Sequence, residues 1–122
     1  MKIDLVHPGH YRDDGTLVQA TRLRDRLDPY LPHLGPLLLA ALTPKQHQVR
    51  IVEEYHRAAD LDSDADLIAI SAQIMQFDRA VDLSRELRKR GKKTVLGGYL
   101  PSMLPDREIG RASCRERVSF LV

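Results

Sequence analysis

Leu67-Ile68-Ala69-Ile70-Ser71-Ala72 is an uncharged run broken only by one hydroxyl, of strand length and rich in branched side chains. Such a run, closed off by polar neighbours, is the mark of a strand buried on both faces in a parallel sheet. The residues after it complete the unit. From Phe77 to Arg90 the apolar positions recur with helical spacing: Phe77, Ala80, Val81, Leu83, Ser84 and Leu87 face inward. Asp78, Asp82, Arg85, Glu86, Arg88 and Lys89 take the water side. Gly91 falls at the position just past the helix end, and basic residues crowd its last turn. Thr94-Val95-Leu96 then reads as another strand, ended by Gly97-Gly98. Strand, helix and strand in that order predict a right-handed crossover and a parallel sheet.

Working outward, the pattern repeats. Upstream, Gln48-Val49-Arg50-Ile51-Val52-Glu53 is a strand, and Pro36 to Leu42 is a helix begun by a proline and stopped at Thr43-Pro44. Being apolar all round, this helix is expected to be buried. Ile3-Asp4-Leu5-Val6 is a first strand ended by the turn signal His7-Pro8-Gly9. Between them, His10 to Pro32 reads as a long loop with a turn at Asp13-Asp14-Gly15. The aspartates Asp60, Asp62, Asp64 and Asp66 suggest a metal loop, but the sixth and twelfth positions from Asp60 hold Ala65 and Ser71. A calcium hand needs Gly and Glu there, so a solvated connection is expected. Downstream, Pro101 to Pro105 begins a further helix. The expected fold is α/β, a doubly wound (flavodoxin-like) parallel sheet truncated after the fourth strand.

At 122 residues the chain has the size of one domain, and its net charge of +2 points to no nucleic-acid partner. No apolar run nears the roughly 20 residues of a membrane span. The N-terminus reads as a strand rather than a signal peptide, so a cytoplasmic protein is expected. Glu108 to Val118 resembles the translation of a sequencing-library adapter, so residues 108–122 are read as a non-native tail and 1–107 as an incomplete domain. Cys114, the single cysteine, falls inside that tail and carries no weight. Without the tail, Lys+Arg falls to 16 and Asp+Glu to 15, leaving +1 and the same conclusion.

Doubly wound folds take ligands outside the carboxyl ends of their strands. Those ends are His7-Pro8-Gly9, Glu53-Glu54-Tyr55, Ser71-Ala72-Gln73 and Gly97-Gly98-Tyr99. They carry no G-x-G-x-x-G turn for a dinucleotide, no P-loop, no acidic set of a phosphoacceptor domain, and no G-x-S-x-G elbow. What they offer is small: two glycines that let a ligand approach the backbone, the Ser71 hydroxyl and the Gln73 amide. The residues alone leave a plain alternative open, in which Gly97-Gly98 is a turn and Ser71 caps a helix.

Four stretches taken in order carry a resemblance. They are Leu31-Pro32-His33-Leu34-Gly35-Pro36-Leu37-Leu38-Leu39-Ala40-Ala41, Val49-Arg50-Ile51-Val52-Glu53-Glu54, Ala69-Ile70-Ser71-Ala72-Gln73, and Val95-Leu96-Gly97-Gly98-Tyr99-Leu100-Pro101-Ser102-Met103-Leu104-Pro105. Together they resemble the N-terminal cobalamin-binding domain of cobalamin-dependent radical SAM enzymes. The resemblance implies that Ser71, Gly97 and Gly98 line the slot for the cofactor's nucleotide tail, with Gln73 and Tyr99 beside it and the corrin ring near His7, Pro8 and Gly9. The D-x-H-x-x-G motif that ligates cobalt in the wider family is missing around His7-Pro8-Gly9-His10, which puts a protein ligand to the metal in doubt. His7 and His10 read better as surface or turn residues.

The resemblance further implies a methyltransferase-like parent whose C-terminal radical SAM domain binds a 4Fe–4S cluster and S-adenosylmethionine. This chain has no C-x-x-x-C-x-x-C, so it supplies no catalytic residue of its own. Two other readings stand beside it: a stand-alone corrinoid carrier or sensor, and a doubly wound domain that binds no cofactor and mediates protein contacts.

Overall fold

The computed structural model describes residues 1–18 and 34–98. Its elements are β1 (Lys2–His7), α1 (Leu34–Leu42), β2 (Gln48–Glu53), β3 (Leu67–Ser71), a 3-10 turn (Ile74–Gln76), α2 (Phe77–Lys89) and β4 (Lys93–Gly97). The four strands form one sheet in the order β2-β1-β3-β4, every pair parallel. That is the flavodoxin-like order, as expected, and it reverses direction between β1 and β3. Right-handed crossovers therefore put α1, which joins β1 to β2, and α2, which joins β3 to β4, on opposite faces.

One face holds the core. Val6, Ile68, Ile70, Ala72 and Leu96 meet Ala80, Leu83 and Leu87 of α2, with Val52, Leu61 and Phe77 at the margin. Directly before the helix, Gln73 to Gln76 close a 3-10 turn. The helix ends where the glycine requires. Gly91 sits at φ +72°, Lys92 N–H donates to Leu87 O at 3.0 Å and Gly91 N–H to Arg88 O at 2.9 Å. Those two bonds satisfy carbonyls that the helix end would leave open.

The opposite face departs from expectation. The β3 run is not buried on both sides: Ile68 and Ile70 are, whereas Leu67, Ala69 and Ser71 are only half-covered. Nor is α1 buried. Only Pro36 is, while Leu34 is 74% exposed, Leu42 72%, and Leu37, Leu38 and Leu39 are exposed as well. The reason is geometric. Among the described residues the helix packs chiefly on β1 and β2, and those strands cover its inner side.

The long-loop expectation also changes over 10–18. Tyr11 and Leu17 form an antiparallel bridge, and Val18 N–H donates to His10 O at 2.9 Å. The tip is the expected turn, with Gly15 at φ +81° and the Asp14 carboxylate accepting from Thr16 N–H and Oγ1. The remainder of that loop (19–33), the helix start at 101–105 and the 108–122 tail lie outside the described residues. At the amino end of the sheet the aspartates are in ion pairs and turns. Asp64 pairs with Lys2 and Arg50, Asp60 accepts from Asp62 N–H, and buried Asp4 takes Arg50 and the Ser63 hydroxyl. The arginine and the hydroxyl offset the cost of burying the Asp4 carboxylate.

Candidate functional site

Because α1 covers mainly the β1–β2 half of its face, a cleft of about 290 Å³ opens over the β3–β4 half. Its floor is Leu5, Ala69 and Val95, neighbours in one row of the sheet. Its wall is Leu38, Leu39 and Leu42 of α1, and at the carboxyl end of the strands stand Ser71, Gly97 and Gly98. The surroundings are apolar, with the Ser71 hydroxyl as a polar point. An apolar slot with few polar groups is the usual form of a small-molecule site.

The two glycines do different work. A Cβ on Gly97 would meet nothing within 4 Å, as would one on Gly35 at the start of α1. Both line the cleft, so their missing side chains enlarge it. Gly98 is at φ +86°, and a Cβ there would lie 2.8 Å from Ala72 O and 3.1 Å from Ser71 Oγ. Gly98 is thus required by the turn itself, where the chain leaves β4 against the end of β3.

Of the other residues singled out by the sequence, Gln73 is half-buried and begins the 3-10 turn, its N–H donating to Gln76 Oε1 at 2.9 Å. Pro8 and Gly9 are buried and do not line this cleft. A Cβ on Gly9 would meet Leu17 Cδ1 at 3.0 Å and Val18 O at 3.3 Å, so the glycine lets the 10–18 turn close over it. Tyr99 lies outside the described residues.

Beyond the carboxyl ends of β1, β2 and β3 runs a polar network that the sequence did not reveal. His7 is not a surface residue; it is 2% exposed and closes β1. Its Nδ1 meets Glu53 Oε1 at 2.7 Å and its Nε2 meets Gln76 Nε2 at 3.0 Å. Gln76 Oε1 is already taken by Gln73 N–H, which fixes the amide with its NH2 toward His7. His7 therefore accepts at Nε2 and donates at Nδ1, and both ring nitrogens are spent. The same NH2 donates to Tyr55 Oη at 3.2 Å, and Tyr55 Oη meets His10 Nδ1 at 2.7 Å. Burial raises the Tyr55 phenol above its ordinary value.

Next to it lies a buried ion pair. Glu54, fully buried, takes Arg79 Nε at 2.8 Å and Nη2 at 2.6 Å, Ala59 N–H at 2.9 Å and Gly9 N–H at 3.3 Å. Burial by itself pushes the Glu54 carboxyl up, but the Arg79 and backbone donors outweigh it and hold it below the usual range. The hydrogen bonds to Glu54 raise Arg79 further above its ordinary value. Tyr11 donates to Asp82 Oδ2 at 2.8 Å and lies beneath the Arg79 guanidinium, 6.0 Å from ring to charge. These bonds tie the loops after β1 and β2 to α2. No spacing rule foretells them, because the partners are joined only by the sheet order.

No protein-family model and no solved structure matches the chain. Two curated proteins do in part. Over 83 residues, 67% of this chain and 18% of the relative, it is 36% identical to bacteriochlorophyllide d C-8(2)-methyltransferase of Chlorobaculum tepidum. Over 107 residues, 86% of this chain and 20% of the relative, it is 31% identical to hopanoid C-2 methylase of Rhodopseudomonas palustris. The chain thus spans about a fifth of the length of these relatives, and both are methyl-transferring enzymes by name. Among the described residues, no helix is long and apolar enough to cross a membrane.

Proposed function

We propose that this chain is the cobalamin-binding part of a larger radical SAM enzyme that transfers methyl groups. The observation that carries the reading is the cleft beside the carboxyl ends of β3 and β4, where Gly35 and Gly97 leave room that a Cβ would fill. Its apolar walls suit a flat aromatic base, and the Ser71 hydroxyl suits a sugar or base nitrogen at its mouth. Ser71 and Gly97 would hold the nucleotide tail of the cofactor, and Gly98 would shape the turn that supports them. The resemblance would add Gln73 beside that slot and Pro8 and Gly9 toward the corrin. When bound, cobalamin supplies a carrier for the methyl group. A 4Fe–4S cluster and S-adenosylmethionine would be held by another part of such an enzyme. Relatives that are much longer and are methyl-transferring enzymes by name favour an enzyme part over a stand-alone carrier.

The test is retention. The full chain is mixed with hydroxocobalamin, passed through a desalting column and read by absorbance. It should emerge coloured, with about one cofactor per chain, whereas Ser71→Leu, shown folded by circular dichroism, should emerge colourless. A colourless parent that is folded, or a Ser71→Leu variant that retains as much colour, overturns the reading.

A further inference from the structure

The cleft has a polar mouth and an apolar far end. In the register of the sheet, Leu5, Ala69 and Val95 stand side by side. Ser71 and Gly97 pair two residues further toward the carboxyl ends of the strands. Among the described residues that line the cleft, Ser71 is the one with a polar side chain. The helix α1 runs back along the sheet from this mouth, as a crossover between the parallel strands β1 and β2 requires. Gly35 and Pro36 therefore lie toward Ser71, and Leu38, Leu39 and Leu42 follow toward the other end. From Gly35 to Leu42 the helix rises about 10 Å, long enough to take a fused two-ring base.

A cleft of this kind suits one kind of nucleotide tail. The base is joined to its sugar through a five-membered ring, so that ring stays with the sugar at the mouth and the six-membered ring goes toward the leucines. In a benzimidazole the six-membered ring is all carbon, and every atom that it buries is apolar. In an adenine it holds two ring nitrogens and carries an amino group, which would leave water for side chains that cannot pair with them. The main chain of β3 offers no substitute, since β1 and β4 pair it on both sides.

We infer that the cleft selects its cofactor by the tail base, taking a benzimidazole in preference to a purine, with Leu42 at the far end as a specificity-determining residue. This rests on the reading that the cleft holds the nucleotide tail of a cobalamin. One polar group buried without a partner weakens binding by at least about fivefold, and adenine brings more than one.

Equilibrium dialysis of the full chain tests it, using two corrinoids that differ only in the tail base, dimethylbenzimidazole against adenine. Cobinamide, which has no nucleotide tail, is the third probe. The benzimidazole form should bind at least about fivefold more tightly than the adenine form, and cobinamide more weakly than the benzimidazole form. Leu42→Gln brings an amide to the far end and should lower the ratio between the two bases. Leu42 is 72% exposed, so the change leaves the core intact, and circular dichroism checks the fold. A ratio below about fivefold overturns the inference while the cofactor reading stands. A ratio that Leu42→Gln leaves unchanged moves the base away from that end and overturns it as well. Cobinamide bound as tightly as the benzimidazole form takes the tail out of the cleft, with the same result. If the folded chain binds none of these corrinoids, the inference and the reading beneath it fall together.

Discussion

Gly97 and Gly98 are adjacent, of one residue type, and should respond to alanine in opposite directions. At Gly98 the backbone is at φ +86°, where any other residue costs about 1–2 kcal/mol. The new methyl would also lie 2.8 Å from Ala72 O and 3.1 Å from Ala72 N, both backbone atoms that cannot swing away. Relief requires the end of β3 to shift, which loosens the Ala72 N–H bond to Gly97 O, now 3.2 Å, at a buried residue. A buried donor left weakly paired adds about 1–3 kcal/mol, so Gly98→Ala should cost roughly 2–5 kcal/mol in all. At Gly97 the methyl enters open space from an ordinary strand conformation. Replacing a strand glycine there should gain about 0.5–1 kcal/mol by reducing the freedom of the unfolded chain. The pair should therefore differ by about 2.5–6 kcal/mol, which at a urea slope of about 1–3 kcal/mol/M separates the midpoints by about 0.8 M or more. Urea titration of the full chain followed by circular dichroism reads this directly. Equal midpoints, or a less stable Gly97→Ala, would refute the division between a cleft glycine and a turn glycine.

Two further predictions concern the loops that frame the site. Arg79→Ala leaves the fully buried Glu54 carboxylate without its cation and should cost about 3–5 kcal/mol in urea titration, whereas Glu54→Leu combined with Arg79→Met should recover most of it; an Arg79→Ala loss under about 1 kcal/mol would show that the pair is not sealed from water. Glu54 has its folded-state pKa depressed, so its contribution is complete above the ordinary carboxylate range and is lost as pH falls through the lower folded value. Thermal melts across acidic pH should therefore show a decline that Glu54→Gln shallows, and parallel profiles for the two proteins would remove Glu54 from that role.

The alternation of strand and helix was legible in the sequence because each element declares its own burial. The β3 run, the helical spacing from Phe77 to Leu87 and the glycine stops at Gly91 and Gly97-Gly98 all match the structure to within a few residues. That Ser71 and Gly97 stand at strand ends was legible for the same reason, and parallel sheets gather those ends along one edge. Other features were not. The apolarity of α1 foretold burial, but periodicity states only what a helix would cover, and how much of it is covered depends on what lies across from it. His7 looked like a turn residue because its neighbours are Pro8 and Gly9. It is buried because Glu53 and Gln76, 46 and 69 positions away, arrive to take both its nitrogens.

The sequence by itself thus determined the order of elements, the fold class and the edge of the sheet at which to look. Local hydrophobic spacing and turn chemistry act over a few residues and need no knowledge of distant partners. The tertiary structure alone decided which half of the sheet face the described part of α1 leaves open, which of two adjacent glycines faces the cleft, and that His7 is buried. Each depends on contacts between residues far apart in the chain, and it is strand order and register, not spacing along the sequence, that bring them together.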